Sequence, residues 1–471
     1  MQSLGHRYAC ALIATLGIVF SVAAPALATP IVKSQASCKA VSGHSYCVEF
    51  DDTDPLGAIR DIAFKAPSSG IAIVTMHGVM VCNSNSLNLV VDLTSGIATN
   101  SATTVTADMP SGARYAVAFG LTGTWEESFN LASTFVFAFT AAGKQNFYFI
   151  MNRQRMDSGT HCVIYNPTLT VEFMPSSDKG RIITQSSCTS PSGYCRSIFP
   201  SDPITPIRQM VFAAPSKGTA VVTFNGTLYC ANSGTVPATV DIDSEIVPVD
   251  GVTANSANAG GLRHAARFMN DATTRTSRSF NLYSTRVFPV TAAGNQNYFF
   301  NLQRRTMDPH TSCFVYSATF TVRFFHAGAA PEVTSQDSCH AINGSCGVLG
   351  AAAMVMRSIS IKPEHAGTAI VTFHGSATCK ADGTGAGLQI LQTQIQTSPD
   401  GSIIVDGESG LEQDVFIDEN SMTSVNFAST FVQKVKANNK KYKFYMKLGA
   451  TDHPYDITCR LYNAAFTVKV E

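Results

Sequence analysis

The chain has 471 residues, of which 45% are hydrophobic and only 14% charged, and its 33 basic residues cancel its 33 acidic ones. Such a composition can bury cores and excludes a disordered chain. Zero net charge argues against a general nucleic-acid binder or a polybasic membrane binder, and the length suits about three domains of typical size.

Residues 1–28 read as a secretory signal peptide. His6 and Arg7 make a basic start, an apolar run extends from Ala9 to Ala24, and Ala26-Leu27-Ala28 supplies an A-x-A cleavage pattern. No later run of about 18 apolar residues suggests a transmembrane segment in the mature chain, so the expected location is secreted, extracytoplasmic.

Beyond Cys10, the remaining cysteines fall into three sets of four: Cys38, Cys47, Cys82 and Cys162; Cys188, Cys195, Cys230 and Cys313; Cys339, Cys346, Cys379 and Cys459. The first members are 150 and 151 residues apart. Even sets at a repeating interval in a secreted chain read as disulfides, and the absence of C-x-x-C or a regular histidine partner disfavours zinc. Four cysteines allow three connectivities; the variable short spacing favours a local loop, Cys38–Cys47, beside a long one, Cys82–Cys162, in each copy. The implied tandem domains span 29–176, 177–328 and 329–471.

Within each copy, a turn precedes a strand: Ala66-Pro67-Ser68-Ser69-Gly70 before IAIVTMHG, Ala214-Pro215-Ser216-Lys217-Gly218 before TAVVTFNG, and Pro363-Glu364-His365-Ala366-Gly367 before TAIVTFHG. A later hairpin is expected around Gly143, Gly294 and Asn439, residue types that accept positive φ. Each copy closes on an ungapped block: CVIYNPTLTVEF, CFVYSATFTVRF or CRLYNAAFTVKV. Leu169, Val171 and Phe173 alternate with Thr168, Thr170 and Glu172, the period of a strand with one face buried. Many short β-branched and aromatic segments with no helical stripe predict an all-β chain of three disulfide-bearing β-sandwich domains, jelly-roll or Greek-key.

Catalytic signatures are missing: there is no G-x-S-x-G, H-E-x-x-H, Walker loop or dinucleotide fingerprint. The candidate ligand-binding residues are the Asp–His pairs Asp157 and His161, Asp308 and His310, Asp452 and His453, which are four, two and one residues apart. Chemistry needs fixed geometry, so the changing spacing favours polar turns. His77, Asn225 and His374, each followed by Gly, read as turn residues at a strand end. Trp125, the single Trp, stands beside Glu126 and Glu127 and is a lone sugar-stacking candidate. The lysines from Lys434 to Lys447 suit a solvated edge hairpin, and Asn225 and Asn343 begin glycosylation sequons.

The aromatic strands around VTAAGNQNYFF and the closing block Phe314–Phe324 resemble the C1q and tumour-necrosis-factor type of jelly-roll domain. That resemblance implies a jelly roll and threefold packing of copies, here within one chain as an intrachain pseudo-trimer. The reading is therefore a secreted, non-enzymatic binding or surface-structural protein acting on an extracellular ligand or surface, with no cofactor or metal and no nucleic acid. Its divergent segments 83–124, 231–276 and 380–421 would serve as binding loops. The rival is a secreted hydrolase with one Asp–His site in one repeat, which requires a deep cleft.

Overall fold

The computed structural model describes residues 31–35, 46–86, 89–119, 125–177, 181–188, 193–202, 206–268, 276–327, 333–337, 346–350, 352–363, 366–381, 387–405, 409–417, 421–437, 440–451 and 457–470. Residues 1–28, expected from the sequence to be a signal peptide, and Cys38, Cys339, Asn343, Asn439, Asp452 and His453 lie outside them.

The chain is all-β. In the first copy the strands are β1 (Ile31–Gln35), β2 (Val48–Asp51), β3 (Ala58–Ala66), β4 (Gly70–Ser84), β5 (Val90–Ala98), β6 (Ala113–Ala118), β7 (Trp125–Asn130), β8 (Ser133–Phe139), β9 (Gly143–Met156) and β10 (Thr160–Pro175). One layer carries β6-β5-β9-β3; the other carries β1 and β2 on β10, then β4, then β7 and β8. Alternate residues of each layer point inward: Ile62 and Phe64 of β3, Phe147 and Phe149 of β9, and Leu169, Val171 and Phe173 of β10 close one core. Equivalent cores form around Phe224, Phe300 and Phe320, and around Phe373, Phe427 and Phe444.

Disulfides staple each sandwich. Cys82–Cys162, Cys230–Cys313 and Cys379–Cys459 tie β4 to β10 and their counterparts, at sequence separations of 80, 83 and 80. Loops of that length stabilise by roughly 4 kcal/mol in the chain-entropy account. Cys188–Cys195 closes a short loop, and Cys47 and Cys346 are also disulfide-bonded.

Two expectations about strands change. The residues flanking Gly143 and Gly294 do not form a hairpin. β8 pairs with β4, whereas β9 pairs with β3 and β5, so the turn carries the chain from one layer to the other. Gly294 has φ +135° there, so the glycine requirement was read correctly while the pairing was not. The polar face of β10 is also buried: Thr168, Thr170 and Glu172 are all under 6% exposed.

What covers that face is another copy. The first layer-sheet runs β1-β10-β4-β7 and continues into Leu411–Ile417, Gly387–Gln396, Tyr442–Thr451 and Met354–Ile361 of the third copy. The second runs from Arg181–Ser187 through Thr311–His326, Gly218–Asn232 and Thr276–Asn281 into β6-β5-β9-β3. The third joins Gly261–Phe268 of the second copy to Met422–Val435 of the third. The joints are equivalent: Val117 faces Arg278, Ala266 faces Thr423, and Val415 faces Glu127. Each copy thus lends one layer to the next, in the cycle first–second–third–first. The divergent segments read as binding loops largely form these joining strands (β5, β6 and their counterparts), and their divergence follows from facing different neighbours.

Candidate functional site

Equivalent residues of the three closing blocks converge on a central cavity of about 40 Å³. It is lined by threonines from every copy, including Thr75, Thr223 and Thr372, and Thr170, Thr321 and Thr467. The strand period explains the lining: residues two apart on β4 and β10 share the face turned away from their own core. Thr75 and Thr134 are 3.1 Å apart at their hydroxyls, as are Thr223 and Thr285. Gln185 donates to the Thr321 hydroxyl at 3.2 Å, whereas the buried hydroxyls of Thr170 and Thr467 have no partner.

One position of the block breaks the uniformity. Glu172, Arg323 and Lys469 are aligned residues in the three copies, and their side chains are 7%, 7% and 9% exposed. Lys469 Nζ donates to both Glu172 carboxylate oxygens, at 3.0 and 2.9 Å, and Arg323 Nη1 donates to Oε2. Burial opposes ionisation of Glu172, but the Arg323 and Lys469 cations overcome it and hold the carboxyl at about 2. Identical residues here would have buried three like charges, so the divergence is what makes the contact feasible.

The next positions are also differentiated. His77, Asn225 and His374 do not end strands, as expected from the sequence; they sit mid-strand and are no more than 2% exposed. The glycine after each serves a bulge in the partner strand: a Cβ on Gly375 would lie 2.2 Å from the Asn463 carbonyl oxygen, and Asn166 and Ser317 adopt φ +43° and +51° in the corresponding bulges. His77 Nδ1 and the Thr430 hydroxyl are 2.7 Å apart, and the ring meets Tyr283 edge-on at 5.0 Å. Burial lowers both His77 and His374 to about 3, and His374 adds to the effect on His77. Tyr283 packs with Ala132 and Ala428, its counterparts, so one ring fills a space that three would overfill. Asn225 is 1% exposed, which removes it as a glycan acceptor in the folded chain.

The three joints between copies differ in chemistry. At the first–second joint, Arg114 is paired with Asp92 at 2.6 Å, lies over the Tyr229 ring at 4.3 Å, and donates to the Tyr316 hydroxyl. At the second–third joint, Arg263 repeats this with Asp241 at 2.7 Å and the Tyr462 ring at 4.4 Å. At the third–first joint the aligned residue is Glu412, and Asp414 and Glu126 stand near it. Burial first, then the Glu126 and Glu412 charges, push Asp414 up to about 8. Val79, Val81, Val163 and Leu411 supply an apolar cluster beside it.

The sequence candidates lie away from the cavity. Asp157 accepts from the Val90 amide at 2.9 Å and pairs with Arg155 at 2.7 Å; Asp308 accepts from the Thr239 amide at 2.7 Å. His161 contacts Glu49 at 2.7 Å, and His310 occupies a turn at φ +67°. Trp125 opens β7 opposite Ser84. Of the lysine run, Lys447 is 5% exposed and donates to the Gly401 carbonyl, so it does not belong to a solvated face. No group of three His, Cys, Asp or Glu able to hold a metal occurs among the described residues. No helix is long and apolar enough to cross a membrane. The sequence did carry a sign of the central contact: one column of the aligned blocks reads Glu, Arg, Lys.

No protein-family model matches the chain, and no curated protein matches it. Among solved structures it is similar to PNGF-II in its P21 crystal form, with 11% identity, a TM-score of 0.26, and coverage of 63% of this chain and 66% of that one, just short of two thirds. It is similar also to the infectious bursal disease virus VP2 subviral particle, with 11% identity, a TM-score of 0.16, and coverage of 62% of this chain and 71% of that one. Likenesses of this size carry no argument about function.

Proposed function

We propose that this chain is a secreted, non-enzymatic binding or surface-structural protein whose three domains, 29–176, 177–328 and 329–471, form a pseudo-trimer inside one polypeptide. The observation that carries the reading is the cyclic sharing of sheets, first to second to third to first, around a buried centre whose aligned residues differ in charge and size. Such an arrangement suits a rigid scaffold that presents the outer faces of three similar domains at fixed spacing, because a single chain has no need to keep its three interfaces identical. The disulfides favour an extracytoplasmic setting, and threefold packing is what the C1q and tumour-necrosis-factor resemblance implies.

Small-angle scattering with mass measurement on the mature chain tests the arrangement. The expected result is a monomeric globule with a radius of gyration of roughly 22 Å for about 440 residues. Three separated lobes, or a stable oligomer formed through the joints, would overturn it.

A further inference from the structure

We propose that one buried water, held beside Asn130 in a second small cavity, closes a cycle of hydrogen bonds between the three copies. The inference rests on the closed arrangement of copies proposed above and adds a ligand to it. Three observations carry it.

The first is an interrupted cycle. Asn130, Asn281 and Asn426 are aligned residues of the segments SFNLAST, SFNLYST and SVNFAST, and all three are buried. Asn426 Nδ2 donates to the Asn281 carbonyl, a link from the third copy to the second. Asn281 Nδ2 donates to the Ala132 carbonyl at 2.9 Å, a link from the second copy to the first. Asn130 makes no matching link from the first copy to the third. The Asn426 carbonyl accepts from Gln413 Nε2 at 2.7 Å, and Asn130, 6% exposed, has no partner at either amide atom. A buried amide in that position carries the full cost of leaving water.

The second is the set of groups around it. Residues 128–130, 279–281 and 424–426 line one cavity together with Arg278. Arg278 Nε and Asn426 Oδ1 are also buried without a partner. Asn426 Nδ2 lies 3.2 Å from His264 Nδ1 besides meeting the Asn281 carbonyl, which fixes that amide and leaves Oδ1 as an acceptor. Nothing fixes the Asn130 amide, so it can present either atom. A donor at Arg278, an acceptor at Asn426 and an amide free to serve as either suit a molecule that both donates and accepts. A metal cation would face the Arg278 guanidinium, and a halide would bring no hydrogen to Asn426 Oδ1. The third is size. The cavity is about 20 Å³, enough for the ~10–15 Å³ that one water needs and for little more.

Diffraction from crystals of the mature chain, at a resolution that shows ordered water, tests the site. The expected result is one water within hydrogen-bond distance of the Asn130 amide and Asn426 Oδ1. In solution, Asn130→Leu keeps the volume and removes the amide. If a water bridges the copies there, the substitution strands Asn426 Oδ1 and Arg278 Nε and should lower Tm by about 2 °C. If the amide is simply unsatisfied, an apolar group of the same shape should raise Tm. A wild-type crystal in which Asn130 bonds directly to protein, or a raised Tm in Asn130→Leu, would overturn the proposal. If Asn130→Leu does not fold, the wild-type diffraction decides alone. A cavity lined by all three asparagines but without water removes the ligand and leaves the scaffold reading standing. A structure in which the three asparagines do not meet removes the scaffold.

Discussion

Arg278 and Glu127 occupy the same aligned position in successive copies, and their side chains meet at 2.5 Å across the place where the copies join. Thr423, the third occupant, accepts from Arg278 Nη1 at 3.2 Å. Burial pushes the Glu127 carboxyl up to about 7, with Arg278 offsetting part of that rise. Together with Glu172, Arg323 and Lys469 this makes two buried positions at which aligned residues have become complementary, and both bind one copy to another.

The Glu127–Arg278 pair should therefore behave as a unit. Glu127→Arg or Arg278→Glu alone buries like charges and should cost about 3–5 kcal/mol in denaturant unfolding. The double swap restores opposite charges and should recover more than half of that loss, read as a coupling energy in a double-mutant cycle. Additive losses would mean that the two residues do not depend on each other.

Three buried histidines set the acid limit. His77, His264 and His374 are lowered by burial from 6.5 to about 3, so each is neutral when folded. The unfolded chain binds their protons below pH 6.5, so the stability present above that pH is lost as pH falls toward 3. Each contributes a slope of about 1.4 kcal/mol per pH unit in that window. The second copy already carries Asn225 at this position, so His77→Asn with His374→Asn should lower the slope by about 2.8 kcal/mol per pH unit in urea melts between pH 6.5 and 4. An unchanged slope would place the acid sensitivity elsewhere.

How much of this was legible in the sequence depends on which neighbour a residue meets. The alternation of Leu169, Val171 and Phe173 with Thr168, Thr170 and Glu172 identified the strand and its apolar core face, because that face packs within its own copy. The same alternation labelled the polar face without saying what covers it, and another copy does. Turn chemistry at Gly294 revealed a backbone needing a special φ, but could not say whether the strands on either side pair. His77 was read from its Gly neighbour as a turn; the glycine instead gives the bulge of β10 room, which only the three-dimensional register displays. The Asp–His pairs were visible and drew attention by residue type, while the column holding Glu172, Arg323 and Lys469 needed the copies to be compared by charge.

The joint between the third and first copies should respond at the opposite end of the pH range. Asp414 is raised from 3.8 to about 8, so the folded chain holds its proton where the unfolded chain has released it. Stability then falls as pH rises from about 4 to 8, by roughly 1.4 kcal/mol per unit from this group. The histidine slope is confined below 6.5, so the interval from 7 to 8 isolates Asp414 from it. Asp414→Asn should remove most of the decline there, measured by thermal melts in matched buffers. A decline that survives the substitution would assign it to another group.

Tyr283 offers a test of asymmetry that does not involve charge. It is 5% exposed and packs against Ala132 and Ala428, the residues aligned with it, while its ring supports the edge of His77 at 5.0 Å. Tyr283→Ala leaves a void among three alanines that cannot collapse without shifting paired strands, and should cost about 3–5 kcal/mol. Ala132→Tyr forces a second ring into the same space and should cost about 1–3 kcal/mol or more by overpacking. Combining the two moves the single ring from the second copy to the first. Because the copies approach this place equivalently, the combined variant should be more stable than Tyr283→Ala alone, by at least 1 kcal/mol on the same large-to-small scale. It should not regain full stability, since the His77 edge contact and the buried hydroxyl partners of Tyr283 were shaped around the second copy. Denaturant unfolding of the three variants checks this. If the combined variant loses the sum of the two single losses, the copies do not share one central space at this level.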